Sequence, residues 1–126
     1  MTIRELVGGE VVGIEADRTL REAIRLMAAN EVGALAVKRD GRLIGIFTER
    51  DVIRACSEEA DLDSGVVGSW MTRDPDSLDP DGDVDAAADW MLAAGYRHLP
   101  VVDGVNLVGM VSIKDILWAL TEPSAV

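Results

Sequence analysis

The sequence predicts a mixed α/β fold in which two β-α-β-β-α repeats pack together in one compact domain. Three observations support this. The chain aligned with itself at an offset of 64 pairs residues 17–56 with 81–120 without a gap, and ten of the 40 pairs are identical. In each copy, apolar residues recur with the periods of strands and helices in the same order. With 126 residues and 48% hydrophobic content, the chain can bury a core that one copy could not bury alone.

The first copy, residues 1–56, alternates short strands with amphipathic helices. Its first helix is predicted from Thr19 and Glu22, which have the spacing of a capping box in front of an apolar stripe. A turn at Gly41 joins two apolar strands as a hairpin. In order, the predicted elements are a strand at 11–14, a helix from 19, strands at 34–37 and 43–47, and a helix at 48–56.

The second copy, residues 66–126, repeats this order. Residues 57–65 are acidic and rich in turn-forming residues, which predicts a linker between the copies. The predicted elements of the second copy are a lead-in helix at 66–71, a strand at 77–78, a helix from 83, strands at 98–102 and 107–111, and a helix from 112. Residues 116–120 of the last helix are apolar on every face, which predicts contact with a second chain.

Composition excludes several functional classes. The chain has 23 acidic and 12 basic residues, and its net charge of -11 disfavours binding to nucleic acid or to an anionic membrane. One cysteine and one histidine cannot form a disulfide or a structural zinc site, and we expect Cys56 to be a buried small residue. No apolar run is long enough for a membrane span or a signal peptide, so we expect a cytoplasmic protein.

One motif occurs in both copies where a strand becomes a helix. GIFTERD at 45–51 returns 64 positions later as GMVSIKD at 109–115. A helix N-terminus carries unpaired N–H groups and the positive end of the helix dipole, so it suits a phosphate. A carboxylate in the first turn can accept ribose hydroxyl groups, and a nearby base offsets the repulsion between an anion and this acidic chain.

The duplicated motif, the order of elements and the sequence YRHLPVVD at 96–103 together resemble the CBS-domain family, named after cystathionine β-synthase. The resemblance covers nearly the whole chain and implies a stand-alone CBS pair, or Bateman-type module. It implies packing about a pseudo-two-fold axis, two clefts between the copies and assembly into a flat homodimer. It also implies a regulatory role in signal transduction, with binding of AMP, ADP or ATP, or of S-adenosylmethionine or a dinucleotide such as NAD.

The resemblance also implies which residues bind the ligand. Asp51 and Asp115 match the family's ribose contacts, and adenine is expected in an apolar slot beside the first two strands of a copy. Copy one has Gly33 and Ala34 where copy two has Arg97 and His98, so we expect unequal clefts. The candidates are Thr48, Arg50, Asp51, Ser112, Lys114, Asp115, Arg97 and His98, with Tyr96, Ser77, Val12, Gly33 and Ala34 as walls of the slot.

Simpler interpretations stay open. Each hydroxyl–carboxylate pair also has the spacing of a helix cap, with Asp in place of Glu. A chain with that feature alone would be a constitutive interaction or assembly module with unoccupied clefts and an apolar last helix as its working surface. An enzyme is not expected, because the sequence offers no identifiable nucleophile, metal cluster or cofactor loop. The downstream protein partner is not identified by any residue.

Overall fold

The computed structural model describes residues 1–7 and 11–121, so residues 8–10 and 122–126 of the predicted copies lie outside the described residues. The elements follow the predicted order, except that the first strand of the second copy is missing. The sequence analysis did not predict the first helix or the fourth strand. The elements are α1 (Ile3–Leu6), β1 (Gly13–Glu15), α2 (Leu20–Asn30), β2 (Ala34–Arg39), β3 (Arg42–Thr48), α3 (Glu49–Ser57), α4 (Val67–Trp70), β4 (Thr72–Arg73), α5 (Val84–Ala94), β5 (His98–Asp103), β6 (Asn106–Ser112) and α6 (Ile113–Thr121).

The chain forms two compact units, which do not coincide with the two repeats. One unit contains Val11–Pro75, and the other contains Met1–Glu10 together with Asp76–Val126. We call them the 11–75 unit and the 76–126 unit. The predicted linker at 57–65 therefore belongs to the 11–75 unit, and the segment that leads into each repeat packs with the elements of the other repeat.

Equivalent hydrogen bonds hold the two lead-in helices in place. In the 76–126 unit, the Ile3 amide donates to the Gly82 carbonyl at 2.9 Å. In the 11–75 unit, the Val67 amide donates to the Arg18 carbonyl at 2.8 Å. Both partners are shifted by 64 positions between the units, so the duplication includes α1 and α4. The repeat therefore starts before the region in which the two copies align by identity.

The 11–75 unit contains a four-stranded sheet in the order β1-β2-β3-β4. The strands β1 and β2 are parallel, and the pairs β2–β3 and β3–β4 are antiparallel. Apolar side chains of α2 recur at helical spacing and so form one apolar face. This face covers the sheet. The buried residues of this core are Ala16, Leu20, Ala23, Met27, Leu35, Val37, Phe47, Ala55, Val67 and Met71.

The 76–126 unit pairs β5 with β6, and its predicted first strand is reduced to one bridge between Leu78 and Val101. A proline explains part of the difference. In the 11–75 unit the Ala16 amide extends the pairing of β1 with β2 by donating to the Lys38 carbonyl at 3.1 Å. Pro80 occupies the position equivalent to Ala16 and has no N–H group to donate.

The buried apolar residues form two clusters, one in each unit, where the sequence predicted one shared core. The lead-in segments account for this difference, because each unit gains apolar residues from outside its own repeat, such as Ile3 in the 76–126 unit and Val67 in the 11–75 unit. The buried residues of the 76–126 core are Ile3, Leu78, Val84, Ala87, Ala88, Met91, Leu99, Val101, Val111 and Ile116.

Two helices differ in what they expose. Cys56 is exposed near the end of α3, so the expectation that it is buried is wrong. The stripe that α3 buries contains Asp51 and Ala55, and Cys56 lies one position beyond that stripe.

On α6, Ile116 is buried while Trp118 is 59% exposed. In the described part of the chain, no helix has the length and apolar character needed to cross a membrane.

Candidate functional site

The turn from β3 into α3 forms a helix cap. The backbone N–H of Thr48 donates to Asp51 Oδ2 at 2.9 Å, and the Thr48 hydroxyl donates to the same oxygen at 3.3 Å. Asp51 is only 5% exposed. Its other oxygen, Oδ1, lies 3.7 Å from Nη2 of Arg54 one turn further along the helix. One oxygen of Asp51 therefore closes the cap, and the other faces a guanidinium group.

The turn from β6 into α6 repeats the cap with different surroundings. The Ser112 N–H donates to Asp115 Oδ2 at 3.0 Å, and the Asp115 N–H donates to the Ser112 hydroxyl at 3.1 Å. Asp115 is exposed. Both pairs thus form the helix cap that the simpler interpretation predicts, and a ligand would have to use the oxygen outside the cap.

Strand pairing brings the other predicted residues to these turns. Ala34 pairs with Thr48 across β2 and β3, and His98 pairs with Ser112 across β5 and β6. On the far side of β2, the carbonyl of Val12 accepts a hydrogen bond of 3.0 Å from the second residue after Ala34. The turn into α3 therefore lies beside the start of β2, and the turn into α6 lies beside the start of β5.

The first amide of each helix is already hydrogen-bonded. The Glu49 amide donates to the Gly33 carbonyl at 3.1 Å, and the Ile113 amide donates to the Arg97 carbonyl at 2.8 Å. The expectation that these helix N-termini offer open donors to a phosphate is therefore wrong for the first amide of each helix. Antiparallel pairing places the residue before β2, or before β5, next to the start of the helix. The carbonyl of that residue therefore accepts the hydrogen bond from the first amide. An anion at these turns would depend mainly on side-chain cations.

Burial sets the electrostatics of Asp51. Removal from water raises the pKa of the Asp51 carboxyl above its usual value. The hydrogen bonds from the Thr48 N–H and hydroxyl oppose the rise, and so does the charge of Arg54, but they do not cancel it. The two copies therefore carry the same carboxylate in unlike environments, one buried beside a guanidinium and one exposed to water.

Three predicted cations are available to an anion. Arg50, Arg97 and Lys114 are exposed, and in the described ranges 1–7 and 11–121 none of them forms a salt bridge. Arg50 and Lys114 occupy the second position of α3 and of α6. In a chain with net charge -11, exposed cations at equivalent positions of both units locally offset the repulsion of an anion.

Tyr96 is the most constrained of the predicted wall residues. Its hydroxyl donates to Asp76 Oδ2, and its ring meets Trp90 edge to face with centroids 5.6 Å apart. The hydrogen bond to Asp76, then burial and the charge of Asp76, raise the pKa of Tyr96. Ser77 is exposed beside this pair. Copy one has two valines at the positions of Asp76 and Tyr96, so the two walls differ in polarity.

The thirteen candidate residues divide between the units. Six belong to the 11–75 unit, namely Val12, Gly33, Ala34, Thr48, Arg50 and Asp51, and seven belong to the 76–126 unit, namely Ser77, Tyr96, Arg97, His98, Ser112, Lys114 and Asp115. Within each unit, pairing of two antiparallel strands brings one candidate opposite the turn, Ala34 opposite Thr48 and His98 opposite Ser112. Among the described residues, no group of three or more metal-binding side chains is present.

Three further residues take part in these surroundings and were not predicted. Arg54 lies beside Asp51 and contacts Trp70 in turn, and Asp76 lies beside Tyr96. Alignment of the two copies could have pointed to Asp76, because it is equivalent to the predicted wall residue Val12. It could not have pointed to the other two, because their equivalent positions carry the unlike residues Trp118 and Leu6.

The duplicated units match a known family. A family model described as CBS domain matches residues 3–58 and again residues 67–122. The chain belongs to the CBS-domain family. Both matches begin at a lead-in helix, in agreement with the duplication of α1 and α4. CBS pairs are regulatory modules, and the fold prediction of a tandem CBS pair is confirmed.

Three individual proteins illustrate what this chain is similar to. A 17.7 kDa uncharacterized protein of Acidianus ambivalens is 35% identical over 95% of this chain and 73% of its own length. The structure of a protein with CBS domains from Burkholderia ambifaria matches with a TM-score of 0.93, at 28% identity over 100% of this chain and 98% of that chain. The CBS domain pair of another protein, in complex with 5′-methylthioadenosine and S-adenosyl-L-methionine, has a TM-score of 0.87 at 22% identity, over 95% of both chains.

Proposed function

We propose that this CBS pair is a cytoplasmic regulatory module that senses AMP, ADP or ATP, or another adenosyl ligand. One observation carries the proposal. At the same turn of both units, a capping carboxylate has one oxygen outside the cap, and an exposed cation without a salt bridge lies one residue before it. A nucleotide needs acceptors for its ribose hydroxyls and cations for its phosphates, and these turns supply both.

The proposed contacts follow from these positions. The oxygens of Asp51 and Asp115 that lie outside the caps accept hydrogen bonds from the ribose hydroxyl groups, while Arg50 and Lys114 neutralise phosphate charge. Arg97 adds a further cation in copy two. The apolar residues that wall the turn in copy one suit a planar base. Binding then draws together groups from different elements, and the resulting change in conformation is passed to another protein.

The complex of a CBS pair with 5′-methylthioadenosine and S-adenosyl-L-methionine supports the adenosyl class of ligand for this fold. Its two ligands share an adenosine moiety and carry no phosphate. A ribose and an adenine are therefore the common requirement, and the phosphate-binding cations of this chain would add a preference for nucleotides. The preference for nucleotides is the part of the proposal that rests on residues of this chain.

Calorimetric titration of nucleotide-free protein tests the proposal. The ligands are AMP, ADP, ATP, NAD and S-adenosylmethionine, and the variants are Asp51→Asn and Asp115→Asn, which keep the shape of the side chain and remove its charge. Saturable binding that one variant weakens would support the sensor and identify the turn in use. Absence of heat with every ligand, together with an unchanged melting temperature, would refute it.

A constitutive assembly module is the second candidate, and the apolar surface of α6 favours it. Leu117, Trp118 and Leu120 are exposed on this nine-residue helix. Such residues are expected at an interface between two copies of the chain, which also fits the predicted homodimer. Trp118→Asp should then convert a dimer to a monomer in sedimentation velocity without a change in far-ultraviolet circular dichroism. A monomeric wild type would refute assembly through this helix.

A further inference from the structure

Arg54 connects Asp51 to the segment that follows the first repeat. Its Nη2 donates to the carbonyl oxygen of Trp70 at 2.7 Å, and its Cζ lies 4.9 Å from the centroid of the Trp70 ring. The same Nη2 lies 3.7 Å from Asp51 Oδ1. Nη1 forms a longer ion pair of 3.9 Å with Glu58. One guanidinium thus contacts the buried carboxylate, a backbone carbonyl and an indole face.

The contact with Arg54 leaves acceptor capacity on the outer oxygen of Asp51. At 3.7 Å the contact is an ion pair and not a hydrogen bond, so the lone pairs of Oδ1 remain available to a hydroxyl group. The other oxygen is held by Thr48. Because Asp51 is almost fully buried, its ionised form depends on the few groups that face it, which are the Thr48 donors and Arg54.

Trp70 belongs to a well-anchored part of the 11–75 unit. It ends α4, and the next residue, Met71, is buried in the core of this unit. The following strand β4 pairs Thr72 with Ile46 in β3. A side chain that contacts both Asp51 and Trp70 therefore joins the start of α3 to the segment that leads into the second repeat.

We propose that Arg54 is a positioning residue, which holds the buried Asp51 carboxylate for the ribose of a nucleotide and couples its occupancy to α4 and β4 through Trp70. This inference rests on the proposed nucleotide function. It applies to copy one alone, because the positions equivalent to Arg54 and Trp70 carry Trp118 and Leu6, which cannot form an ion pair.

The chemistry of arginine suits this role. Its planar group can donate to the Trp70 carbonyl while its face covers the indole ring, and both contacts fix its direction toward Asp51. A lysine would keep the charge and lose the planar contacts. Arg54→Lys is therefore expected to retain part of the function that Arg54→Gln loses.

The test measures the advantage that ribose hydroxyl groups give to binding. Affinities for ATP and 2′,3′-dideoxy-ATP, and for the corresponding monophosphates, are measured by calorimetry. In the wild type the hydroxyl-bearing ligand is expected to bind about tenfold more tightly, the usual effect of a hydrogen bond to a charged group. Asp51→Asn should abolish this ratio, Arg54→Gln should reduce it to about threefold or less, and Arg54→Lys should give an intermediate value.

Controls separate positioning from a general effect on stability. Arg18→Gln removes one positive charge from the same unit, where Arg18 pairs with Glu22 on the surface at 3.4 Å, and should leave the ratio unchanged. A variant that merely loosens the fold would weaken the natural and dideoxy ligands equally. The coupling is followed by Trp70 fluorescence in a protein with Trp90→Phe and Trp118→Phe, where ATP should change the emission and Arg54→Gln should remove that change.

The outcomes distinguish the inference from the function on which it rests. If the wild type binds neither natural nucleotide, the nucleotide-sensing form of the proposed function fails and the inference fails with it. If nucleotides bind but the ratio survives Asp51→Asn, or survives Arg54→Gln undiminished, the function stands and the positioning role is refuted. A ratio that falls in both variants, with no change of Trp70 emission on binding, would overturn the coupling to α4 and keep the positioning.

Discussion

Replacement of Gly109 by alanine is expected to destabilise the 76–126 unit, and shortening Val7 should restore most of the loss. A Cβ atom on Gly109 would overlap Val7 Cγ1 and would lie 3.2 Å from Val7 Cβ. Val7 follows α1, and the 76–126 unit contains it although it belongs to the first repeat. The absence of a side chain at Gly109 therefore leaves space for the lead-in segment of the other repeat. The stability lost in Gly109→Ala tests whether that segment packs there.

The magnitude follows from packing. Forcing an extra carbon into a filled site costs typically 1–3 kcal/mol, so Gly109→Ala is expected to lose about 2 kcal/mol of unfolding free energy. Val7→Ala removes two carbons from a partly buried side chain and should lose about 1 kcal/mol. Independent effects would sum to about 3 kcal/mol in the double variant. Since the new methyl group occupies the space that Val7 vacates, the double variant should lose only about 1 kcal/mol.

Urea unfolding of the four proteins measures this coupling, provided the slope of free energy against urea is the same in all of them. Losses that add to within about 0.5 kcal/mol would refute the packing of Val7 on Gly109. The equivalent glycine is a matched control. A Cβ on Gly45 would lie 2.7 Å from Met71 Sδ but also 2.6 Å from the Thr72 backbone oxygen. Shortening Met71 should therefore rescue Gly45→Ala less well.

Two further predictions concern ionisation. Because burial raises the pKa of Asp51, its charged form opposes folding, so Asp51→Asn should stabilise the protein near neutral pH in urea unfolding. This gain should vanish as the pH falls below the ordinary Asp value. The single tyrosine, Tyr96, should form tyrosinate at higher pH in the wild type than in Asp76→Asn, as ultraviolet difference absorbance will measure. The stability from its hydrogen bond should be lost as the pH rises through the raised pKa, and equal titration of the two proteins would contradict this.

Much of the fold could be predicted because the duplicated pattern is strong. The capping residues Thr19 and Asp83 were placed correctly, since each has a side-chain oxygen that accepts from the third residue after it. The exchange of lead-in segments was not predicted. A four-residue helix such as α1 gives too little periodicity to identify, and its partner lies about 80 residues away, where Ile3 meets Gly82.

The candidate site could be predicted only in part, for a related reason. Residue type and spacing identified the cap at Thr48 and Asp51, because a cap is local in sequence. They gave no sign that the Glu49 amide is bonded to Gly33 or that Arg54 reaches Trp70, because those contacts depend on strand pairing and on the packing of α4. Contacts between distant elements decide which donors and acceptors remain for a ligand.

The difference in burial between the Asp51 and Asp115 carboxylates predicts unequal use of the two turns by a ligand. Asp115 is exposed, so a ribose hydroxyl would replace a water molecule there and gain little. Asp51 is 5% exposed and faces Arg54, so a hydroxyl bonded to it lies in a less polar environment where the same hydrogen bond is stronger. We expect Asp51→Asn to weaken nucleotide binding more than Asp115→Asn, although it should stabilise the fold. A rise in stability with a loss of affinity would indicate that Asp51 serves binding at the expense of folding, whereas equal losses of affinity would show that burial does not decide which turn is used.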